Sequence, residues 1–129
     1  MGVIHESLQY IIYRIVNFST VIEKEVKPEF LKGLKNQTVK VSETVLMSCQ
    51  VNTSLLKQKK MPTVKWYKNG RELTSKTGRT KWTESEDGTC TLTIEKVTVE
   101  DAAEYKCVIS NSAGSSSTEA TLTVESKLA

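Results

Sequence analysis

The chain has 129 residues, of which 38% are hydrophobic and 26% charged, and this length accommodates one ordinary domain with at most a short extension. The net charge of +3 is spread along the chain without a basic stripe of interleaved aromatic residues, so we expect no nucleic-acid partner. The three cysteines form no Cys-x-x-Cys pair and His5 is the only histidine, so the sequence predicts no metal site.

Residues 1–27 differ from the remainder because their apolar side chains recur at steps of three and four, which is helical spacing. This spacing predicts an amphipathic helix over residues 6–25. We interpret residues 1–27 as a linker to another module, with a marginally ordered segment or a helix that docks into a partner groove as alternatives. The apolar positions are Val3, Ile4, Leu8, Ile11, Ile12, Ile15, Val16, Val21 and Ile22.

The same segment is not expected to enter a membrane. Arg14 and Asn17 interrupt its apolar run and no small-residue cleavage site follows, whereas a membrane span needs about 20 apolar residues. Glu6 stands where an N-myristoylation motif requires Ser or Thr. We therefore expect neither a signal peptide nor a transmembrane helix, and no membrane partner.

From Lys27 onward, short segments alternate apolar and polar residues and are separated by turn residues, a pattern typical of a β-sandwich. Pro28 marks the boundary, and Asn69-Gly70 and Asp87-Gly88 are hairpin turn signals. The predicted strands cover residues 28–31, 38–41, 43–51, 63–68, 71–73, 79–83, 89–94 and 104–110, followed by a last strand through residues 120–124.

The two-residue alternation also predicts which side chains form the core. Within residues 43–51, Cys49 shares its face with three apolar side chains, and Cys90 alternates with threonines, which predicts a small buried residue. Val97 and Val99 are expected to close the connection that precedes Asp101. The main core positions are expected to be Cys49, Trp66, Leu92, Tyr105 and Cys107.

The spacing of a tyrosine, a tryptophan and two cysteines is typical of one particular fold. Tyr105 lies two residues before Cys107, and Trp66 lies between Cys49 and Cys107 in the chain. Such a tyrosine packs inward at the start of a strand and hydrogen-bonds to backbone a few residues upstream, while the tryptophan and both cysteines meet between two sheets. The combination indicates an immunoglobulin-like sandwich.

Residues 28–125 resemble an intermediate-set (I-set) immunoglobulin domain of the giant muscle protein family, of the titin, twitchin, obscurin and myosin-binding protein C type. The resemblance implies an all-β, two-sheet Greek-key sandwich, here preceded by the short amphipathic helix and followed by a tail of residues 126–129. It also implies an ion pair between Arg79 and Asp101. The fold brings Cys49 and Cys107 close together, and both a thiol pair and a disulfide remain open. The matching motifs are Cys49, Trp66 to Gly70, Arg79, Asp87-Gly88 with Leu92 and Ile94, Asp101 to Cys107, and Asn111 to Gly114.

Catalysis is not expected from this sequence. No histidine lies near the cysteines in the chain, no glycine-rich phosphate loop is present, and the acidic residues 84–87 beside a turn are typical of a solvated rim. We therefore predict no enzyme activity, no catalytic residue, no cofactor and no small-molecule substrate.

Two functional hypotheses follow. The odd number of cysteines, the absence of a secretion signal and the family resemblance favour a cytoplasmic structural module of the sarcomere or cytoskeleton, with filament proteins or neighbouring domains of an array as partners. The alternative is an extracellular adhesion or receptor domain, which is favoured by three glycosylation acceptor sequences. These begin at Asn17, Asn36 and Asn52.

The loop of residues 52–62 is the candidate partner-binding loop. It is longer and more basic than is usual for the family, and it places apolar and cationic side chains together on a segment that the core is not expected to need. An acidic patch on a filament protein would suit it, although a merely solvated loop is the competing interpretation. The candidate residues are Leu55, Leu56, Lys57, Lys59 and Lys60.

Overall fold

The structure is a computed structural model that describes residues 25–56, 60–76 and 78–126. The predicted helix over residues 6–25 lies outside the described residues except for Glu25, as does the tail except for Ser126. The strands of the described part are β1 (Phe30–Lys32), β2 (Gln37–Lys40), β3 (Val45–Val51), β4 (Thr63–Lys68), β5 (Arg71–Glu72), β6 (Thr80–Glu84), β7 (Thr89–Ile94), β8 (Ala103–Asn111) and β9 (Gly114–Glu125). Two short 3₁₀ helices, Thr53–Leu55 and Val99–Asp101, lie between them.

The strands form two sheets, ordered β1-β3-β7-β6 and β2-β9-β8-β4-β5. Neighbours pair antiparallel, apart from β2 and β9, which pair parallel. The core lies between the two sheets, because each strand turns alternate side chains inward. The all-β, two-sheet fold class predicted from the sequence is confirmed.

Strand β3 illustrates how the sequence specifies the sandwich. Val45, Met47, Cys49 and Val51 are buried, whereas Leu46 on the opposite face is 59% exposed. A slip of one residue would place this whole apolar set in water, so the alternation fixes the register of β3 against β7.

Val99 does not close the core. Val97 is fully buried as expected, but Val99 is 57% exposed. The reason is local: Val99 begins the 3₁₀ helix, in which the backbone no longer alternates its side chains with a period of two. The sequence-based expectation was therefore wrong for Val99.

The chain enters and leaves the sandwich at opposite ends of β9. Near the start of β9, the amide of Asn111 donates a hydrogen bond to the Val26 carbonyl (2.7 Å). Near its end, the Val41 amide donates to the Glu125 carbonyl (2.9 Å). Because β9 has 12 residues, the two points are separated by about 40 Å.

Candidate binding surface

The predicted core residues meet between the sheets. Trp66, Leu92, Tyr105 and Cys107 are all buried, and Trp66 lies opposite Cys107 across the β4–β8 pair. The Tyr105 hydroxyl donates to the Asp101 carbonyl at 2.7 Å, which is the tyrosine-corner contact expected from the spacing. The Trp66 indole N–H has no hydrogen-bond partner among the described residues.

The structure brings Arg79 and Asp101 together. Arg79 Nη1 lies 3.1 Å from Asp101 Oδ2, and the same guanidinium nitrogen donates to the carbonyls of Glu95 and Lys96. Burial disfavours the charged carboxylate, but hydrogen bonds from the Thr98 amide and Arg79 outweigh it and lower the pKa of Asp101. These contacts join the residue before β6 to the connection between β7 and β8.

The three cysteines are free thiols that cluster in the core. Cys49 and Cys90 lie opposite each other on β3 and β7, and Cys107 faces them from β8 in the other sheet. All three Sγ atoms lie within 4.8 Å of one another. The thiols of Cys107 and Cys49 interact with the Cys90 sulfur and lower the pKa of Cys90. Interactions with Cys49 and Cys90, together with burial, raise the pKa of Cys107.

The 52–62 loop is less independent of the core than the sequence suggested. Leu55 ends a 3₁₀ helix that Asn52 caps, and Leu56 and Met61 pack against the edge of the core cluster. The expectation that the core does not need this loop is therefore wrong for Leu56. The half-buried side chain of Leu56 shields part of the core cluster from water. Lys57 and Lys59 lie outside the described residues.

Lys60 takes part in a contact that anchors the incoming chain. Its ammonium group lies 3.5 Å from Glu25 Oε1, and Glu25 Oε2 accepts hydrogen bonds from the Ser112 amide (2.8 Å) and the Ser112 hydroxyl. The hydrogen bonds from Ser112, aided by Lys60, lower the pKa of Glu25. We call this set, Glu25, Lys60 and Ser112, the entry clamp.

Two surface cavities share Met61 in their linings. One, of about 460 Å³, lies between the clamp residues and Met61. The other, of about 600 Å³, is lined by Thr53, Leu56, Met61, Glu86 and Asp87. The lining of the second cavity combines apolar Leu56 and Met61 with acidic Glu86 and Asp87. The Thr89 amide donates to Asp87, which lowers the pKa of that carboxyl. Such a surface suits a protein segment that carries apolar and basic side chains.

Sequence reasoning missed Glu25, Ser112 and Met61 as members of this surface. Glu25 was assigned to the end of a predicted helix, and its partner Ser112 is 87 residues away in the chain. Two polar residues at that separation carry no periodic signal, so the pairing could be found only once the fold was known.

In the described part of the chain, no helix is long and apolar enough to cross a membrane.

The family model "Immunoglobulin I-set domain" matches residues 28–124. The muscle M-line assembly protein unc-89 of Caenorhabditis elegans is 39% identical over 104 residues, which are 81% of this chain and 1% of that protein. Vascular endothelial growth factor receptor 2 of Coturnix japonica is 31% identical over 104 residues, 81% of this chain and 7% of the receptor.

A solved structure of titin M4 (trigonal form) superposes with a TM-score of 0.67 at 28% identity, covering 76% of this chain and 95% of that chain. The sequence-based resemblance is thereby confirmed. On these grounds, the chain belongs to the immunoglobulin I-set domain family.

Proposed function

We propose that this chain is a non-enzymatic structural and protein-binding module of a sarcomeric or cytoskeletal filament-associated protein. The observation that carries the proposal is the position of the entry and exit points at opposite ends of β9. Each module built in this way adds the length of its long axis to an array and transmits tension between its two ends. The similarity to a muscle M-line assembly protein supports the sarcomeric setting.

The boundaries of the unit are part of the proposal. Residues 28–125 form the I-set domain, residues 1–27 act as a linker and residues 126–129 as a tail. The entry clamp belongs functionally to the domain, since Glu25 and Val26 contact the β8–β9 turn through Ser112 and Asn111. Limited proteolysis of the full chain should therefore yield a stable fragment that begins at or before Glu25.

The binding surface lies at the entry end. A neighbouring domain of the array would contact the entry clamp, whereas a filament protein with an acidic patch would contact the lysines of the 52–62 loop. The cavity that Met61 shares with Glu86 and Asp87 would take apolar and basic side chains of a neighbouring domain rather than the acidic patch of a filament protein. Partners are thus proteins, and the proposed location is the cytoplasm.

Antibody staining against residues 28–125, with and without permeabilisation of the source tissue, tests this function. We expect a signal only after permeabilisation, in bands of regular spacing. Pre-absorption of the antibody with the purified chain is the control for specificity. Staining of intact cells would contradict the sarcomeric proposal.

An extracellular receptor domain is the second candidate, favoured by the similarity to a growth factor receptor. Its acceptor residue Asn36 is exposed, and Asn52 caps the 3₁₀ helix of the loop. If this candidate is correct, the native protein should lose mass on treatment with an N-glycosidase. An unchanged mass together with staining only after permeabilisation would exclude it.

A further inference from the structure

We propose that Cys49, Cys90 and Cys107 form a binding site for a trivalent thiophilic metalloid, with arsenic(III) as the probe. The site is the buried thiol triangle already described, in which every pair of Sγ atoms lies within 4.8 Å. It is independent of the entry end and of the proposed scaffold function.

The three strands hold the sulfur atoms in a closed arrangement. Cys49 and Cys90 are direct cross-strand neighbours of one sheet, and Cys107 projects from the opposite sheet. Three ligands that converge from two sheets surround a point between them, as a trigonal centre requires. Ligands placed on such regular strands are held more firmly than ligands on loops.

The size of the triangle is suitable. Thiolate sulfur lies about 2.3 Å from a zinc-sized centre, so three sulfurs around one such centre are at most roughly 4.0 Å from one another. Side-chain rotations that move each Sγ by less than about an ångström would bring the three atoms within bonding distance of a common centre.

The net charge of the complex determines which thiophilic ion the site favours. Cys49 is 3% exposed, Cys90 and Cys107 are 0% exposed, and the surrounding core cluster contains no charged side chain. Three thiolates leave a net charge of minus two on a monovalent ion and minus one on a divalent ion, whereas a trivalent centre becomes neutral. Because an uncompensated charge in an apolar core is costly, the neutral complex is favoured.

The binding step balances without a redox change. Arsenous acid, As(OH)₃, reacts with the three thiols; three As–O bonds break, three As–S bonds form and three water molecules leave. Each thiol proton departs with one hydroxide of the acid.

Access to the site requires opening of the sandwich, because all three cysteines are buried. Loading should therefore be slow in the folded chain and fast during refolding. Once bound, the centre links β3 and β7 of one sheet to β8 of the other and should slow unfolding.

The test uses the full chain, refolded from denaturant with arsenite in the presence of a phosphine reductant that contains no thiol. After desalting, mass spectrometry should show one arsenic replacing three hydrogens, and X-ray absorption should show three sulfur neighbours. With a hundredfold excess of arsenite over its dissociation constant, the unfolding temperature should rise by about 5 °C or more.

Cys49→Ala, Cys90→Ala and Cys107→Ala should each lose the adduct on desalting. Met47→Leu, on the same face of β3, is the matched control and should keep it. Absence of an adduct in the wild-type chain, equal retention by Cys90→Ala, or preferential retention of zinc(II) over arsenic would each overturn the proposal. If an alanine variant fails to fold, the sulfur count from X-ray absorption of the wild-type adduct decides, since two sulfurs instead of three would contradict the site.

Discussion

Burial and hydrogen bonding have opposite effects on the charged form of the Asp101 side chain. The side chain is only 5% exposed, which disfavours its charge, yet the Thr98 amide and Arg79 hydrogen-bond to its carboxylate. The net effect lowers the pKa of Asp101. A lowered folded-state pKa contributes stability that is fully present above the unfolded-state pKa of about 4 and is lost as the pH falls through the folded-state pKa.

We expect Asp101→Asn to lower the free energy of unfolding at neutral pH by about 1–3 kcal/mol, because Arg79 and the Thr98 amide lose a charged acceptor. The difference from the wild-type chain should begin to shrink below about pH 4, where the carboxylate of the unfolded chain takes up a proton, and should continue to shrink as the pH falls through the lowered folded-state pKa. Urea unfolding, followed by tryptophan fluorescence between about pH 2 and about pH 7, measures both quantities. A difference that is the same at both ends of this range would contradict the expected role of the ionised carboxylate.

Single-residue features were predictable where a period or a motif reports them. The alternation around Cys49 and Leu92 indicated their burial, and the spacing of Tyr105 and Cys107 indicated the tyrosine corner. The convergence of all three thiols could not be derived from the sequence, because it depends on how β8 faces β3 and β7 across the core.

The turn between β6 and β7 shows how one position can fix an element. Gly88 has φ +95°, and a Cβ atom at this position would lie 2.6 Å from the Val51 carbonyl oxygen. The Gly88 carbonyl also accepts a hydrogen bond from the Val51 amide. The turn therefore needs a residue without a side chain, both for its backbone conformation and for its approach to the end of β3.

Gly88→Ala is expected to cost about 2 kcal/mol or more in the free energy of unfolding, from a strained φ together with a clash against backbone. Gly78→Ala is the matched control, because its Cβ would meet nothing within 4 Å and its φ is not positive. Thermal unfolding of both variants measures the difference. Similar losses in the two would show that the close approach to Val51 does not matter.

The entry clamp yields a prediction about the β8–β9 turn. Glu25→Ala removes the acceptor of the Ser112 amide, so hydrogen exchange at that amide should accelerate by at least about tenfold. Global stability should change little, as for most surface substitutions.

Glu29→Ala provides the control for the clamp, since Glu29 pairs with Lys27 and does not contact the Ser112 amide. In Glu29→Ala, hydrogen exchange measured by NMR should show the same protection of the Ser112 amide as in the wild-type chain. Unchanged exchange at Ser112 in Glu25→Ala would mean that the clamp does not form in solution.

The turns and strands were predictable because each is specified by residues that are neighbours in the sequence. Residues 63–68 were expected as a strand and form β4. The packing of Leu56 against the core was not predictable, since its position depends on the path of the whole 52–62 loop rather than on neighbouring residues.

Across the whole molecule, tension applied through the two ends would act along the β2–β9 pair. These strands run parallel, and β2 lies near the start of the domain while β9 ends it. The hydrogen bonds between them would be loaded together in shear. The pair is therefore expected to set the force at which the sandwich opens.

Val41→Pro should lower the unfolding force, because proline removes the N–H that bonds to the Glu125 carbonyl. Val41→Ala retains this N–H and is the matched control, for which we expect a much smaller change. Single-molecule stretching of the chain between tethered ends measures both forces. Equal unfolding forces for the two variants would indicate that resistance lies elsewhere in the sandwich.

The whole-molecule arrangement was only partly predictable. A Greek-key sandwich followed from the number of short strands and from the family resemblance, but the parallel β2–β9 pairing joins segments about 85 residues apart (Gln37 with Leu122). Such a pairing is set by the global packing of both sheets, and turn residues specify only antiparallel neighbours.

The separation of the entry and exit points along β9 also determines how much the chain lengthens when the module unfolds. Folded, the span from Glu25 to Glu125 occupies roughly 40 Å, whereas the same roughly 100 residues stretched out would reach about 330–360 Å. Opening one sandwich therefore adds about seven to eight times its resting length to the chain. An array of such modules would behave as a spacer of fixed length under low load and as a reserve of extensible polymer under high load.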